Sequence, residues 1–453
     1  MRVRKFSWGA TTFRMARIYP FRAWHYNPAQ VRLDDVVTQP YDKISPAMQQ
    51  AYYQRSPFNL VRIILGLPEL FDAERGESVY SRAARDFSSW REQGVLVQEK
   101  DPCIFAYSQR FRVPGSDEVK ERRGFIALGK LHEYSDQVVF RHEQTLSKPK
   151  SDRLNLLKAT RAHFGQIFML YSDPAGSVEK ILYDGAATPD AAVTDEYGVL
   201  HSVWRIADPA AIRLLSAAME DKKLIIADGH HRYETMVAIR DALRPAGAAP
   251  GSSQADFGPM FFARAEDPGL LVLPTHRMVH GLAEAVLDGL PERCRPWFAV
   301  ESGDERDAVA IGERLRREGE TAVSFAIRRP KQGQTTWLRL RKDADLTRLG
   351  PPTLGCLDVS VLHGLILDPL LGIGAEAMAK QANLSYSHDL GETLGRVSSG
   401  AAQAAFIMNA TKVHQVLDAC EAGFVLPQKS TYFQPKLATG LVMQKIRAGQ
   451  PVA

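Results

Sequence analysis

Residues 224–234 read LIIADGHHRYE, an apolar stretch that runs straight into a dense polar cluster. Asp228, His230, His231, Arg232 and Glu234 supply two acids, two imidazoles that titrate near neutral pH and one planar cation. Behind them TMVAIRDAL, residues 235–243, spaces its apolar side chains as a helix does, so the order predicted is strand, tight turn at Gly229, helix. Such a helix start gathers unpaired backbone N–H groups and the positive end of the helix dipole. Each anionic charge placed there gains about 0.3–1 kcal/mol when exposed. The chemistry expected is a phosphate or carboxylate clamp: Gly229 supplies the backbone, Arg232 a two-pronged donor, and Asp228, His230, His231 or Glu234 the proton transfer. A plain polar helix cap would need fewer such groups. No metal ligands are assigned, because neighbouring histidines on a helix point about 100° apart and seldom share one ion.

Three further stretches carry candidate residues. His142 and Glu143 precede Lys148, Lys150, Asp152 and Arg153 in a loop rich in acids and cations. From it Glu143 is taken as a candidate base, and His142 and Arg153 as phosphate contacts. Residues 427–436, PQKSTYFQPK, place two lysines, Lys429 and Lys436, and two hydroxyls, Ser430 and Thr431, in a turn suited to gripping phosphate, with Lys429, Ser430 and Thr431 taken as the contacts. Tyr41 and Asp42, in the turn that follows Gln39-Pro40, are assigned to the substrate. Ser147 and Lys150 formally match SxxK, but Pro149 stands between them and covalent serine chemistry is discounted. Gly372 to Ala377 formally match GxGxxA yet follow a helix-like segment, which suits a helix end better than a dinucleotide fingerprint. His276 and His280 are read as structural. The chain has no P-loop, HExxH or GxSxG pattern.

The elements that must position these groups follow from periodicity and turn chemistry. Helices are expected over 47–54, 78–92, 152–161 and 209–217, and strands over 61–65, 104–111, 122–131, 166–171, 202–206, 224–227 and 260–263. Segments 104–111 and 122–131 should pair across a charged loop. The Pro, Gly and Ser-rich residues 245–258 read as a flexible loop, after which strands at 261–265 and 270–273 return to the same sheet. Beyond Leu282, strands at 322–327 and 336–339 and helices at 359–367, 392–398 and 413–422 make a second α/β unit.

With 453 residues the chain exceeds one core and implies two domains or three. Apolar residues at 45% and charged residues at 24% are ordinary for a globular protein, and a net charge of +5 is far from the concentrated stripe that binds duplex DNA. Cys103, Cys294, Cys356 and Cys420 form no CxxC pair and read as reduced thiols of a cytosolic protein. The apolar run 357–373 is broken by Asp358, His363 and Asp368, so a buried helix is expected there and no membrane span. The first fourteen residues are basic and lack a secretory apolar core; they read as an extension, with Met15 an alternative start.

ARIYPFRAW, QPYDKIS, HEQT, DRLNLLKATRA, ADGHHRYET and PQKSTYFQPKLATGLV occur in this order from residue 16 almost to the end. In this the chain resembles the bacterial and archaeal family catalogued as domain of unknown function 1015, whose name supplies no activity. The DGHHR element alone is similar to the phosphate-binding box of the ParB and sulfiredoxin-like superfamily, which includes free serine kinases. That resemblance implies a mixed-sheet α/β (α+β) domain with a ParB-like strand–turn–helix over 15–281, preceded by the 1–14 extension and followed by a smaller α/β domain over 282–453. It also implies that Gly229, His230, His231 and Arg232 line the phosphates of a nucleotide, ATP or ADP. Magnesium would share the charge, and Asp228 or Glu143 would act as base toward a small hydroxylated substrate. The expected function is thus a phosphotransferase or phosphatase on a small metabolite. The alternatives are a nucleotide-binding regulator without catalysis and a histidine-dependent hydrolase of a non-phosphate substrate. Neither a nucleic-acid nor a membrane partner is expected.

Overall fold

The computed structural model describes residues 16–68, 76–143, 147–183, 188–244, 251, 253–330, 333–355, 357–380 and 382–447. The 1–14 extension, Gln144, Thr145, Cys356 and most of the 245–252 stretch lie outside them. The chain divides into two units: residues up to Arg141, Thr145–Leu270 and Pro435–Ala453 form the first, and His142–Gln144 with Leu271–Gln434 the second. The division falls at Leu270/Leu271, ahead of the expected boundary at Leu282, because His276–Val279 is an inner strand of the second unit's sheet.

The first unit is built on a nine-stranded mixed sheet. Along it run Val139–Phe140, Leu224–Asp228, Ile167–Tyr171, Phe257–Arg264, Val119–Lys130, Ile104–Arg112, Leu200–Ile206 and Ala191–Thr194, with Ile18–Tyr19 added beside Val119–Lys130. The expected hairpin is present, Phe105 pairing with Ile126 and Arg112 with Val119 in antiparallel register. Leu224–Asp228 lies parallel to Val139–Phe140 and antiparallel to Ile167–Tyr171. With neighbours on both edges, its residues 224–227 are buried throughout, which explains an unbroken apolar run.

Several local expectations are corrected. VRII, residues 61–64, is a short helix despite its β-branched residues. The Asn59 side chain accepts the Val61 N–H at 3.0 Å and donates to the Asp35 carbonyl at 2.8 Å, starting a helical turn that strand propensity alone would oppose. The helix expected from Asp152 begins at Ser147 and ends at Thr160; Pro149 sits in its first turn, where its missing N–H costs nothing. Leu271–Val272 does not return to the large sheet but pairs with Phe433–Gln434. The end of the 245–258 loop is ordered into secondary structure: Ser253 caps a 3-10 turn at Gln254–Asp256, and Phe257 opens a strand.

The second unit carries a six-stranded antiparallel sheet, Phe298–Gly303, Thr335–Leu340, Ser324–Arg328, Ala404–Met408, His276–Val279 and Leu384–Ser387. Its core includes the helical run from Asp358 to Leu371, in which His363–Leu367 is a π-helical turn. Gly372 then closes the run with φ 69°, a left-handed helix end as expected from GIGAEA. Among the described residues no helix is long and apolar enough to cross a membrane. Cys103, Cys294 and Cys420 are buried free thiols.

Candidate functional site

In the first unit the strand Leu224–Asp228 delivers its last residue through a register shift. Ile226 faces Met169 and Asp228 faces Phe168, leaving Ala227 as the extra residue. A bulge of this kind turns the strand end and re-aims the side chain that follows. Gly229 comes next at φ 95° and ψ 27°, a left-handed conformation, and caps the helix His230–Leu243. A Cβ at Gly229 would stand 3.0 Å from Arg232 Nη2 and 3.2 Å from its Cζ, so both backbone angle and space demand glycine. The strand, turn and helix predicted from the sequence are therefore all present.

Arg232 donates from Nη1 to the Gln166 carbonyl at 2.6 Å and from Nη2 to Asp228 Oδ2 at 3.0 Å. These bonds use two of the five guanidinium donors and fix its plane. Asp228 receives a second cation: Lys436 Nζ lies 2.8 Å from Oδ1, with the lysine side chain 8% exposed. Burial alone would raise the Asp228 carboxyl, but Lys436 and then Arg232 overcome it and hold the group well below the usual carboxylate range. Asp228 is thus a carboxylate locked between cations and a poor proton acceptor.

Arg232 lines a cleft together with Tyr41, Arg153, His163 and Thr235, against walls formed by Ile64, Leu156, Phe164 and Met236. Arg153 lies over the Tyr41 ring at 4.0 Å and donates to the Ile64 carbonyl at 2.7 Å. Asp152 accepts its Nε at 2.9 Å and is itself bonded by the Tyr80 hydroxyl at 2.9 Å. Burial pushes the Tyr41 hydroxyl up, Asp42 adds to that, and Arg153 and Arg232 oppose it. His163 is pushed down to about 3 by burial and stays neutral. Two arginines, a phenol and apolar walls thus line one opening, chemistry that would suit an anion attached to a less polar body.

The other sequence candidates separate into distinct places. His230 is buried at the helix start and His231 is half-buried beside it. Glu234 points to a different partner set, pairing with Lys150 and Arg141 and bonded by the Tyr134 hydroxyl at 3.4 Å. Asp42 is exposed next to Tyr41. Glu143, His142, Lys429, Ser430 and Thr431 belong to the second unit and meet one another there. His142 Nε2 and Thr431 Oγ1 share a hydrogen bond of 2.6 Å, and the Ser430 N–H donates to Glu143 Oε1 at 3.1 Å. Lys429 takes φ 60°, and its carbonyl accepts from the buried Arg277 at 3.0 Å.

Two further residues complete the first-unit site: Lys436, read from the sequence as the second lysine of the 427–436 turn and not as a partner of Asp228, and His163, which the sequence did not single out. Lys436 stands 208 positions from Asp228, and no local pattern links them. Its backbone is held in place: the Lys436 carbonyl accepts from Gln109 Nε2 at 2.7 Å and the Pro435 carbonyl from Arg122 Nη2 at 2.6 Å. Arg122 is fully buried and burial lowers it to about 10. A charged side chain where a hairpin strand turns inward was the one available signal. His163 gave none, since a histidine next to an apolar strand is unremarkable in sequence.

The fold is mixed α/β, with a strand–turn–helix that brings Arg232 to the rim of a cleft. The chain belongs to the family described as Protein of unknown function (DUF1015), whose profile matches residues 18–360. No curated protein matches it. Among solved structures it is similar to a conserved hypothetical protein from Pyrococcus furiosus, at 12% identity and TM-score 0.33, over 67% of this chain and 92% of the other. A free serine kinase in complex with AMP gives 12% identity and TM-score 0.36 over 69% and 89% of the two chains. SbnI from Staphylococcus aureus, truncated at its C-terminus, gives 10% and 0.35 over 70% and 86%.

Proposed function

We propose that this protein is a phosphotransferase or phosphatase acting on a small hydroxylated or phosphorylated metabolite, with a phosphate of substrate or nucleotide held at the Gly229–Arg232 turn. The observation that supports it is the convergence of Arg232 and Arg153 on one apolar-walled cleft beside a helix start. Phosphoryl transfer asks mainly for positioning and charge neutralisation, which such a clamp supplies. In this reading Asp228 orients Arg232 and is not the base, because Lys436 and Arg232 already hold its charge. His231, half-buried on the first helical turn, is assigned proton transfer, while Tyr41 and Arg153 seat the body of the ligand. ATP or ADP fits the anionic requirement, and the ParB-like character of the DGHHR box points the same way. Magnesium bound with such a nucleotide would take most of its ligands from phosphate oxygens and water and need only one or two carboxylates of the protein.

The test pairs calorimetric titration with product analysis. ATP, ADP and pyrophosphate are titrated into the protein and into Arg232→Ala and Arg153→Ala; ³¹P NMR then follows turnover with a panel of hydroxylated metabolites. Loss of a charge-assisted bond worth about 1.5–3 kcal/mol predicts affinity down roughly tenfold to a hundredfold in each variant. Binding without turnover would favour a nucleotide-dependent regulator, and turnover without phosphate a hydrolase. Unchanged affinity in both variants would remove the phosphate assignment altogether.

A further inference from the structure

The residues that line the cleft beside Arg232 fall into two chemical sets. Arg153 and Arg232 bring positive charge, whereas Ile64, Leu156, Leu157, Ala162, Phe164 and Met236 bring only hydrocarbon and a thioether. These apolar side chains are at most 7% exposed, and three separate hydrophobic clusters of the first unit contribute them. Phe164 is also held edge-on by Phe87, with ring centroids 5.1 Å apart. Walls anchored in a close-packed interior keep their apolar faces toward whatever enters.

The other polar groups are few and partly committed. Thr235 Oγ1 donates its hydrogen to the His231 carbonyl at 2.7 Å, and burial keeps His163 neutral, at about 3. Among the described lining residues there is no Asp, Glu, Asn or Gln, the side chains that best pair with neighbouring hydroxyls. A sugar or glycerol phosphate seated by its phosphate would bury hydroxyls against leucine and methionine, giving up their bonds to water without replacement. An aryl or alkyl body gains by the same burial. We infer that this cleft selects aryl and alkyl phosphates over polyol phosphates, the body lying against Leu156, Phe164 and Met236 and the phosphate meeting Arg232. This rests on the phosphate reading of the Gly229–Arg232 turn and names the substrate class for it. The two kinds of ligand carry the same charge, so the body alone decides between them.

Phenyl phosphate and glycerol 3-phosphate are titrated into the full-length protein by calorimetry and saturation-transfer NMR, with inorganic phosphate as the arm for the anion alone. Saturable binding of phenyl phosphate, at least about tenfold tighter than glycerol 3-phosphate, is expected. Tyr41→Ala, at a half-buried position of the lining, should cut that ratio about threefold or more. Leu156→Gln, which puts a carboxamide among the walls, should narrow it as well; circular dichroism checks its folding, and Tyr41→Ala decides the matter if that variant does not fold. If none of the three phosphates saturates, the phosphate reading falls and the selectivity with it. If phosphates bind but phenyl phosphate holds no such advantage, or if Tyr41→Ala leaves the ratio unchanged, the phosphate reading stands and the selectivity is overturned.

Discussion

Replacing Lys436 with methionine removes one of the two cations bonded to Asp228 while keeping an unbranched apolar stem of nearly the same length. Taking one partner from a fully buried ion pair costs about 3–5 kcal/mol. Asp228 is 25% exposed and retains Arg232 at 3.0 Å, so water and the second cation absorb part of that penalty. An expected loss of about 1.5–3 kcal/mol follows. Urea unfolding of wild type, Lys436→Met, Asp228→Asn and the double variant measures it as a mutant cycle. The two single losses should not add, with a coupling energy of about 1 kcal/mol or more. The sign with pH is fixed as well. Asp228 has a depressed folded value, so its contribution is complete above the unfolded value of about 3.9 and is lost as acid protonates the folded group. Asp228→Asn should therefore flatten the acid limb below about pH 4. Additive losses, with coupling under about 0.5 kcal/mol, would refute the lock between the two cations.

Two other expectations are simpler. Gly229→Ala forces a side chain into φ 95° and against Arg232, costing at least about 1–2 kcal/mol; an unchanged melting temperature would contradict that geometry. His163, held neutral at about 3, gains no proton in the folded state while the unfolded chain binds one below about pH 6.5. Stability should thus fall by about 1.6 kcal/mol between pH 6.5 and 5 on its account, and His163→Asn should show a shallower fall in urea midpoints over that range.

The strand–turn–helix around Gly229 was legible because every determinant is local: an apolar strand, one glycine and a helical spacing within twenty residues. The 104–131 hairpin was legible for the same reason. The 61–64 helix was not, since Asn59 and its bonds to neighbouring segments override β-branched propensity. Of the site, Arg232, Arg153 and Tyr41 were named from type and spacing, and one cleft unites them. Lys436 was named only for the C-terminal turn, and its pairing with Asp228 escaped because the partner lies two hundred positions away; Glu234 was read as part of the cluster although its helical position turns it toward Lys150 and Arg141. Two segments that share a motif can still face opposite ways once a helix rotates them.

The first unit closes only with residues from Pro435 onward, while Leu271–Gln434 builds the second. During synthesis the ribosome must therefore emit the whole inserted unit before the lysine that neutralises Asp228 leaves the exit tunnel. Until then the nascent sheet presents a half-compensated acid next to its arginine. A nascent chain arrested at residue 434 carries the glycine turn and the helix but not the lysine that pairs with Asp228, so this centre matures only after the inserted unit has been made.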